Sequence, residues 1–353
     1  MSKKKKIPDF IFFIPVFIFF FFFFSIFSPI MDQLLDTSHE PGYYTPILSS
    51  LNESPSFELI RALSYHADPY LPWCSQQNTQ LVKSIMDTIN YQQYIPNLIR
   101  EFKSTLKKLT KNGLNRMISI EKENLIPLSQ AWFLIDYAHD DEITILVILL
   151  VIDVLGQSIP SKIQALDLLS HLPTLNKSLI PQLKKSIAAC LVHVPPITAE
   201  DQSLSLLQRA YSWINKLNET KIECIQTIST ILSTINSPIR PFLLEQLSIF
   251  ISRVSTDIFI STSKIFFTLN QLLVGLDTTT GDIILLLKIQ KQIIDLNHPF
   301  IATYAYDFIG AWTLLLRRED DVIKRQIEQN VTSLKKLVNN DAEIIELCTY
   351  INV

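Results

Sequence analysis

Glycine is scarce in this sequence, with six residues among 353, and no segment alternates strictly between polar and apolar side chains. Tight hairpin turns depend on glycine, and half-buried strands alternate with a period of two, so a sheet protein with many turns is disfavoured. Leucine and isoleucine dominate the composition instead. The sequence therefore predicts an all-α protein.

Cysteine is also scarce, and its spacing argues against two kinds of site. Cys74, Cys190, Cys224 and Cys348 lie far apart and form no Cys-x-x-Cys pair, so neither a zinc site nor a disulfide framework is indicated. Cys190 and Cys224 fall on apolar helix faces. We interpret the cysteines as buried, reduced thiols of a cytoplasmic or nuclear protein.

A large excess of charge of one sign is missing. The chain has 31 lysines and arginines against 34 aspartates and glutamates, a formal net charge of −3. Such a balance gives no general electrostatic attraction to nucleic acid. It suits a protein partner, and we predict no nucleic-acid binding.

No group of residues has the pattern of a catalytic, metal-binding or cofactor-binding site. The acids of His139-Asp140-Asp141-Glu142 diverge in direction on a helix, and no second pair is spaced to complete a metal site. These acids and Glu319-Asp320-Asp321 are better explained as caps of the helices that follow. Gly275 and Gly281 lack the lysine and the preceding strand of a phosphate loop. We predict a protein that is not an enzyme and holds no metal or cofactor.

Residues 1–30 differ from the rest of the chain. Lys3–Lys6 precede a run of phenylalanine and isoleucine, and residues 10–27 are long and apolar enough for a signal-anchor helix. A genuine anchor would place the protein in a membrane. The same low-complexity tract also arises when an untranslated leader or an intron is read as coding sequence, and Met31 offers an ordinary start. We expect the native protein to begin at Met31.

Ile143 to Leu217 organise the rest of the chain as four predicted helices separated by proline-bearing turns. The first, Ile145 to Ile152, is apolar on every side, which is typical of a helix covered on both flanks. The second covers Lys162 to Leu172. The third begins at Ile180 and the fourth after a capping hydroxyl at Thr198, and each carries one apolar stripe at helical spacing. Two facing stripes form a helical hairpin.

Helices joined by short turns continue from Leu217 to the end of the chain. Helices of about 15 residues give pairs of roughly 40 residues, which is the period of HEAT and armadillo units. The predicted architecture is an α-solenoid of HEAT/armadillo-like helix pairs over residues 127–353. A loosely built helical region over residues 31–126 would precede it.

Four motifs in this helical core resemble those of a known family. They are an apolar helix ending in Ile-Asp, a Lys-x-x-Ala-x-x-Leu-Leu helix, a Pro-Pro pair and a Ser-x-x-Leu-Leu-x-x-Ala-Tyr helix. Together they resemble the Tel-two-interacting family, the smallest subunits of the TTT co-chaperone complex. That family has a second Asp where Val154 stands, Gly where Ala165 stands and Leu where Val194 stands. The matching residues are Asp153, Lys162, Leu168, Leu169, Pro195, Pro196, Ser203, Leu206, Leu207, Ala210 and Tyr211.

The resemblance implies a non-enzymatic scaffold subunit in the cytoplasm and nucleus. Its partners would be the two larger helical-repeat subunits of TTT, the heat-shock chaperone machinery of the ninety class, and client kinases related to phosphatidylinositol 3-kinase. Effects on telomere maintenance and on the DNA damage response would follow indirectly. Two alternatives remain open. One is a generic HEAT-like adaptor, and the other is a helical protein anchored in a membrane by residues 10–27.

An apolar stripe near the C-terminus is a candidate partner-binding surface. A terminal repeat normally needs a polar outer cap, which Cys348, Tyr350 and Ile351 do not supply. We therefore predict that the stripe meets another chain. The alternative is that residues 342–351 fold back and cover it. The stripe consists of Val322, Ile323, Ile327, Val331, Leu334 and Leu337.

Overall fold

The structure is a computed structural model that describes residues 30–51, 54–111, 125–138, 140–217, 222–232, 238–254, 262–275, 277–338 and 341–351. In these ranges the regular elements are helices and no strand occurs, which confirms the all-α prediction. Residues 10–27, the candidate membrane anchor, lie outside the described residues. Among the helices inside them, none has both the length and the apolar character needed to cross a bilayer.

The chain divides into two compact units between Ile180 and Pro181. The predicted boundary between residues 126 and 127 stays a prediction. A helix over residues 30–35 comes first in the described part of the chain. The labelled α-helices of the first unit are α1 (Pro41–Ser49), α2 (Phe57–Ser64), α3 (Gln76–Thr88), α4 (Ile95–Lys111), α5 (Ile126–Tyr137), α6 (Asp141–Val154) and α7 (Ile159–His171).

The second unit contains the remaining described helices, and its first helix begins at the dividing residue. They are α8 (Ile180–Ala188), α9 (Glu200–Lys216), α10 (Ile222–Leu232), α11 (Arg240–Val254), α12 (Thr262–Val274), α13 (Thr280–Ile294), α14 (Pro299–Ala302), α15 (Ala305–Leu316), α16 (Asp321–Leu337) and α17 (Ala342–Ile351).

Side-chain caps explain where several helices begin. Asp140 accepts a hydrogen bond from the Glu142 amide at 2.9 Å, and Asp320 accepts from the Val322 amide at 2.9 Å. Each bond satisfies a backbone N–H that has no partner in the first helical turn. Capping by both acidic clusters is thereby confirmed. The prediction for Thr198 is wrong, because Ala199 precedes the first residue of α9 and no side chain caps that helix.

The first unit packs around α5 and α6. Helix α5 contacts α2, α4, α6 and α7, and α6 contacts α4, α5 and α7. The apolar character of α6 therefore matches its position among three neighbours, as predicted. The segment between α2 and α3 is also packed, because Trp73 is fully buried and its Nε1 donates to the Tyr65 carbonyl at 2.8 Å. This segment is therefore well packed, and the loose build predicted for residues 31–126 as a whole stays a prediction.

The later helices of the second unit contact one another in two rows. In one row α12 lies between α10 and α15, and α15 also contacts α17; in the other, α13 lies between α11 and α16. Sequential helices from the two rows also contact each other, as α10 does α11 and α12 does α13. Stacked helical hairpins produce this alternation. A continuous solenoid over residues 127–353 stays a prediction.

A chain of buried amide and indole groups ties three of these helices together. Trp312 of α15 donates its Nε1–H to Oε1 of Gln290 at 2.9 Å, and Gln290 of α13 donates its amide to Asn270 of α12 at 2.7 Å. Gln290 and Trp312 are both fully buried. The indole N–H of Trp312 therefore depends on Gln290 for its acceptor, since water does not reach it.

Gln290→Leu is expected to destabilise the second unit by about 1–3 kcal/mol, because it leaves the buried indole N–H of Trp312 without an acceptor. Urea unfolding followed by circular dichroism measures the effect. Gln271→Leu is the matched control, since Gln271 is exposed on α12 and its replacement should change stability little. Equal stability of the two variants would contradict the role of Gln290.

Candidate partner-binding surface

Most of the predicted C-terminal stripe is part of the core. Ile323, Ile327, Val331 and Leu334 are at most 1% exposed, and α16, which carries them, contacts α13, α15 and α17. Asn330 on the same helix donates its amide to the Leu287 carbonyl of α13 at 2.9 Å. A side chain packed inside its own chain offers little surface to a partner, so burial disfavours these four residues as contacts, and partner binding by them stays a prediction.

Two residues of the stripe keep accessible surface. Val322 is 47% exposed in the first turn of α16, and Leu337 is half-buried in the last turn. They lie at opposite ends of a helix of 17 residues, about 23 Å apart at 1.5 Å per residue. They therefore belong to different surfaces, and partner binding by either stays a prediction.

The terminal helix α17 docks on its own chain. It contacts α15 and α16, and Ile344, Cys348 and Ile351 on its inner side are buried. Asp341 caps it by accepting a hydrogen bond from the Ile344 amide at 3.1 Å. This fold-back is the alternative to a stripe that faces a partner.

An open cleft of about 470 Å³ lies beside Leu337, where α16 ends and α17 begins. Tyr306 of α15 forms one wall and is 49% exposed, whereas Val338 and Ile344 are buried. The cleft is lined by Ala302, Thr303, Tyr306, Leu337, Val338, Asp341 and Ile344.

Carboxylates lie beside this cleft. Asp341 lines it, and the negative charge of Glu343 acts on Tyr306 in its wall. Partial desolvation, together with the negative charges of Glu343 and Asp341, raises the pKa of Tyr306 above its ordinary value. The cleft thus joins an apolar base to an acidic edge.

The family-motif residues lie mostly in the interior of their respective units. In the first unit Lys162, Leu168 and Leu169 are buried, and in the second unit Tyr211 packs against Phe242 and Phe250 at ring-centroid distances of 5.8 and 5.9 Å. Burial supports a packing role for these residues, although Asp153 and Pro195 are half-buried and Pro196 is exposed. The buried motif residues are Lys162, Leu168, Leu169, Ser203, Leu206, Leu207, Ala210 and Tyr211.

A buried aspartate in the first unit is the polar feature that the sequence analysis missed. Asp68 is 1% exposed, and its Oδ1 accepts from the Tyr70 amide at 2.9 Å. Its Oδ2 has no hydrogen-bond partner among the residues that the structure describes. Burial raises its pKa to about 7, the carboxylate of Asp167 adds to the rise, and His171 opposes it. The Asp-Pro-Tyr sequence suggests a turn, but nothing in its spacing indicates that α5 and α7 close around it.

Chemistry-bearing side chains elsewhere are either dispersed or protected. Within the part of the chain that the structure describes, no three His, Cys, Asp or Glu residues come together as metal ligands. Cys74, Cys190 and Cys348 are buried, as predicted, and the side chain of Cys224 lies outside the described residues. Burial raises the pKa of Cys74 well above its ordinary value. A reactive thiolate is therefore disfavoured at Cys74.

Comparison with known proteins identifies one family. Residues 128–280 match the Tti2 family, and this segment runs from α5 to the first residue of α13. It contains every motif residue from Asp153 to Tyr211, so the resemblance to the Tel-two-interacting family is confirmed. No curated protein and no solved structure matches the chain.

Proposed function

Because residues 128–280 match the Tti2 family, we propose that the protein is a non-enzymatic scaffold subunit of the TTT co-chaperone complex. The family match is the observation that carries the proposal. The burial of eight motif residues, from Lys162 to Tyr211, supports it, because these residues then maintain a helical framework whose outer surfaces are free for contacts. No enzymatic family is indicated by the match.

The helical arrangement supports a scaffold in physical terms. Helical hairpins stacked in two rows create long surfaces that another helical-repeat chain can follow. In the proposed assembly the hairpins continue as an α-solenoid and bind the two larger helical-repeat subunits of TTT. The complex then works with the chaperone machinery on kinases related to phosphatidylinositol 3-kinase, in the cytoplasm and the nucleus. Its effects on telomere maintenance and DNA damage signalling are indirect.

Co-purification with the two larger subunits tests this proposal. Affinity-tagged protein expressed with both subunits is expected to elute with them as one species in size-exclusion chromatography, in a ratio that mass spectrometry finds constant across the peak. Maturation of a client kinase is measured separately, as its steady-state level after depletion of this protein. A decrease in kinase level is expected.

Two outcomes would redirect the functional assignment. If the larger subunits elute separately from this chain at all concentrations tested, the TTT proposal fails and the generic helical adaptor is favoured. If the complex forms but client kinase levels do not change, the subunit assignment stands and the role in kinase maturation fails.

A further inference from the structure

We propose that the outward side of α12 and α15 binds a second copy of this chain, in a two-fold symmetric dimer whose facing helices are antiparallel. This inference goes beyond the proposed function and does not depend on it. Among the described residues, the row of α11, α13 and α16 exposes one large apolar side chain, Val322. The row that contains α12, α15 and α17 exposes Phe267, Val274, Tyr306, Leu314 and Tyr350.

Helices α12 and α15 lie side by side and run in the same direction. Where they begin, the hydroxyls of Ser263 and Tyr304 form a hydrogen bond at 2.5 Å. Just beyond their ends, Arg318 donates to the Gly275 carbonyl at 3.3 Å, which holds this cation against the end of α12. The two contacts join residues that are 41 and 43 positions apart. Each residue of α12 is therefore level with a residue 41–43 positions later in α15.

One stripe of α15 presents a protruding side chain, a gap and two opposite charges to solvent. Asp307, Gly310, Leu314 and Arg317 are all exposed, and their spacing places them on one side of the helix. Leu314 is 47% exposed, whereas a Cβ atom added at Gly310 would meet nothing within 4 Å. Glycine weakens a helix interior, and neither a positive φ nor a close neighbour requires one here.

This stripe is complementary to itself when two copies pack antiparallel. Leu314 and Gly310 are equally far from Trp312 along α15, and the same holds for Arg317 and Asp307. In an antiparallel pair centred at this level, Leu314 of each copy enters the gap at Gly310 of the other. Arg317 of each copy likewise lies beside Asp307 of the other. A two-fold interface requires this reciprocity, and parallel helices would instead bring like charges together.

The outward residues of α12 follow the same symmetry. Phe267 is 69% exposed and Val274 is 44% exposed, and their separation of two helical turns puts them on one side of α12. Trp312 is level with residues 269–271, which lie midway between Phe267 and Val274. An axis that crosses both helices at this level makes Phe267 of each copy meet Val274 of the other. Their contact removes apolar surface of both copies from water.

The size of this face predicts a weak dimer. Helix α15 has 12 residues, which gives a length of about 18 Å at 1.5 Å per residue. Neighbouring helices have axes ~8–10 Å apart, so two of them offer a few hundred Å² per copy, at the low end for a specific interface. We therefore expect self-association in the micromolar range, with monomer and dimer in exchange.

Charge reversal tests the pairing of α15 with its copy. Sedimentation velocity of the purified full-length chain over a range of concentrations gives the dimerisation Kd, and circular dichroism checks folding. Asp307→Arg and Arg317→Asp should each raise Kd at least tenfold, because each brings like charges together twice in the dimer. The double variant carrying both changes restores opposite charges, so its Kd should return to within about threefold of the original. Glu328→Arg, at an exposed position of α16, is the control and should leave Kd unchanged.

Gly310→Leu tests the gap independently of charge. Leucine is a better helix former than glycine, and a Cβ at this position meets nothing in its own chain, so the melting temperature should stay the same or rise. Kd should nevertheless rise at least tenfold, because the new side chain fills the space that Leu314 of the other copy needs. Gly42→Leu in the first unit is the matched control, since Gly42 is also exposed and has nothing within 4 Å of an added Cβ.

Restoration by the double variant decides whether the helices pair as assigned. The dimer is supported if the single reversals and Gly310→Leu weaken it and the double reversal restores it. If the unaltered chain dimerises but these variants match it, or the double reversal restores nothing, the antiparallel pairing is overturned. If the unaltered chain stays monomeric at every concentration, the dimer is overturned and the face is left to a different protein. The larger subunits are absent from this experiment, so no outcome bears on the proposed function.

Discussion

Val331→Asp is expected to abolish folding of the second unit. The Val331 side chain is fully buried on α16, which packs against α13, α15 and α17. An ionised carboxylate placed there has no compensating partner and costs several kcal/mol, comparable with the ~5–15 kcal/mol that stabilises a whole domain. Circular dichroism should show a large loss of helical signal, and limited proteolysis should cleave the second unit rapidly.

Val322→Asp is the control for this experiment, because it makes the same change on the same helix at a position that is 47% exposed. Its stability should lie within about 0.5 kcal/mol of the original, the usual range for surface substitutions. The pair also tests the two interpretations of the stripe. If Val331→Asp melts like the original protein but loses binding to a partner, the stripe is an interface and its burial in the core is wrong.

Asp68→Asn is expected to stabilise the first unit at pH 8 and to have little effect at pH 4. Burial raises the pKa of Asp68 from 3.8 to about 7, so the folded state holds its proton more tightly than the unfolded chain does. Stability from this group is present below pH 3.8 and is lost as the pH rises through about 7. A rise of this size corresponds to a loss on the order of 4 kcal/mol, which asparagine avoids because it carries no charge.

The titration of His66 changes stability in the opposite direction to that of Asp68, over nearly the same pH range. Burial lowers its pKa from 6.5 to about 4, against the opposing hydrogen bond to the Leu34 carbonyl. Its contribution, on the order of 3 kcal/mol, is present above pH 6.5 and is lost as the pH falls through about 4. The two effects largely offset each other, so the unaltered protein should show a shallow pH dependence.

Each single variant should therefore show how the stability of the first unit depends on pH when only one of the two shifted groups is present. In Asp68→Asn the stability of the first unit should rise from pH 4 to pH 6.5, because the shifted titration of His66 remains and the opposing one of Asp68 has been removed. His66→Gln keeps a donor for the Leu34 carbonyl. In this variant the stability of the first unit should fall between pH 4 and pH 7. Urea titrations across this range measure both slopes. Parallel profiles for the two variants would show that Asp68 and His66 are not the groups responsible.

Local helical patterns were sufficient to predict the elements of this fold. The apolar length of α6 indicated a helix with neighbours on several sides, and its contacts with α4, α5 and α7 agree. Asp140 and Asp320 marked helix starts because an unpaired backbone N–H needs an acceptor close by in sequence. Such signals depend on a few adjacent residues, so they are readable without the tertiary structure.

The candidate site was less predictable, because it depends on what covers an apolar face. The spacing of Ile323, Ile327, Val331 and Leu334 shows that one side of α16 is apolar. It does not show whether α13 or another protein covers that side, since the same stripe satisfies both. The cleft likewise combines Tyr306 with Ile344, which are distant in sequence and brought together only by packing. Asp68 was missed for the same reason.

The buried cysteines can report transient opening of each unit separately. Cys74 lies in the first unit, and Cys190 and Cys348 lie in the second, all beyond the reach of solvent in the folded state. Oxidants and alkylating reagents attack an exposed thiolate, so these thiols react only while the surrounding helices have separated. Damage by oxidation, and chemical labelling in the same way, would therefore mark which half of the chain had opened and how often.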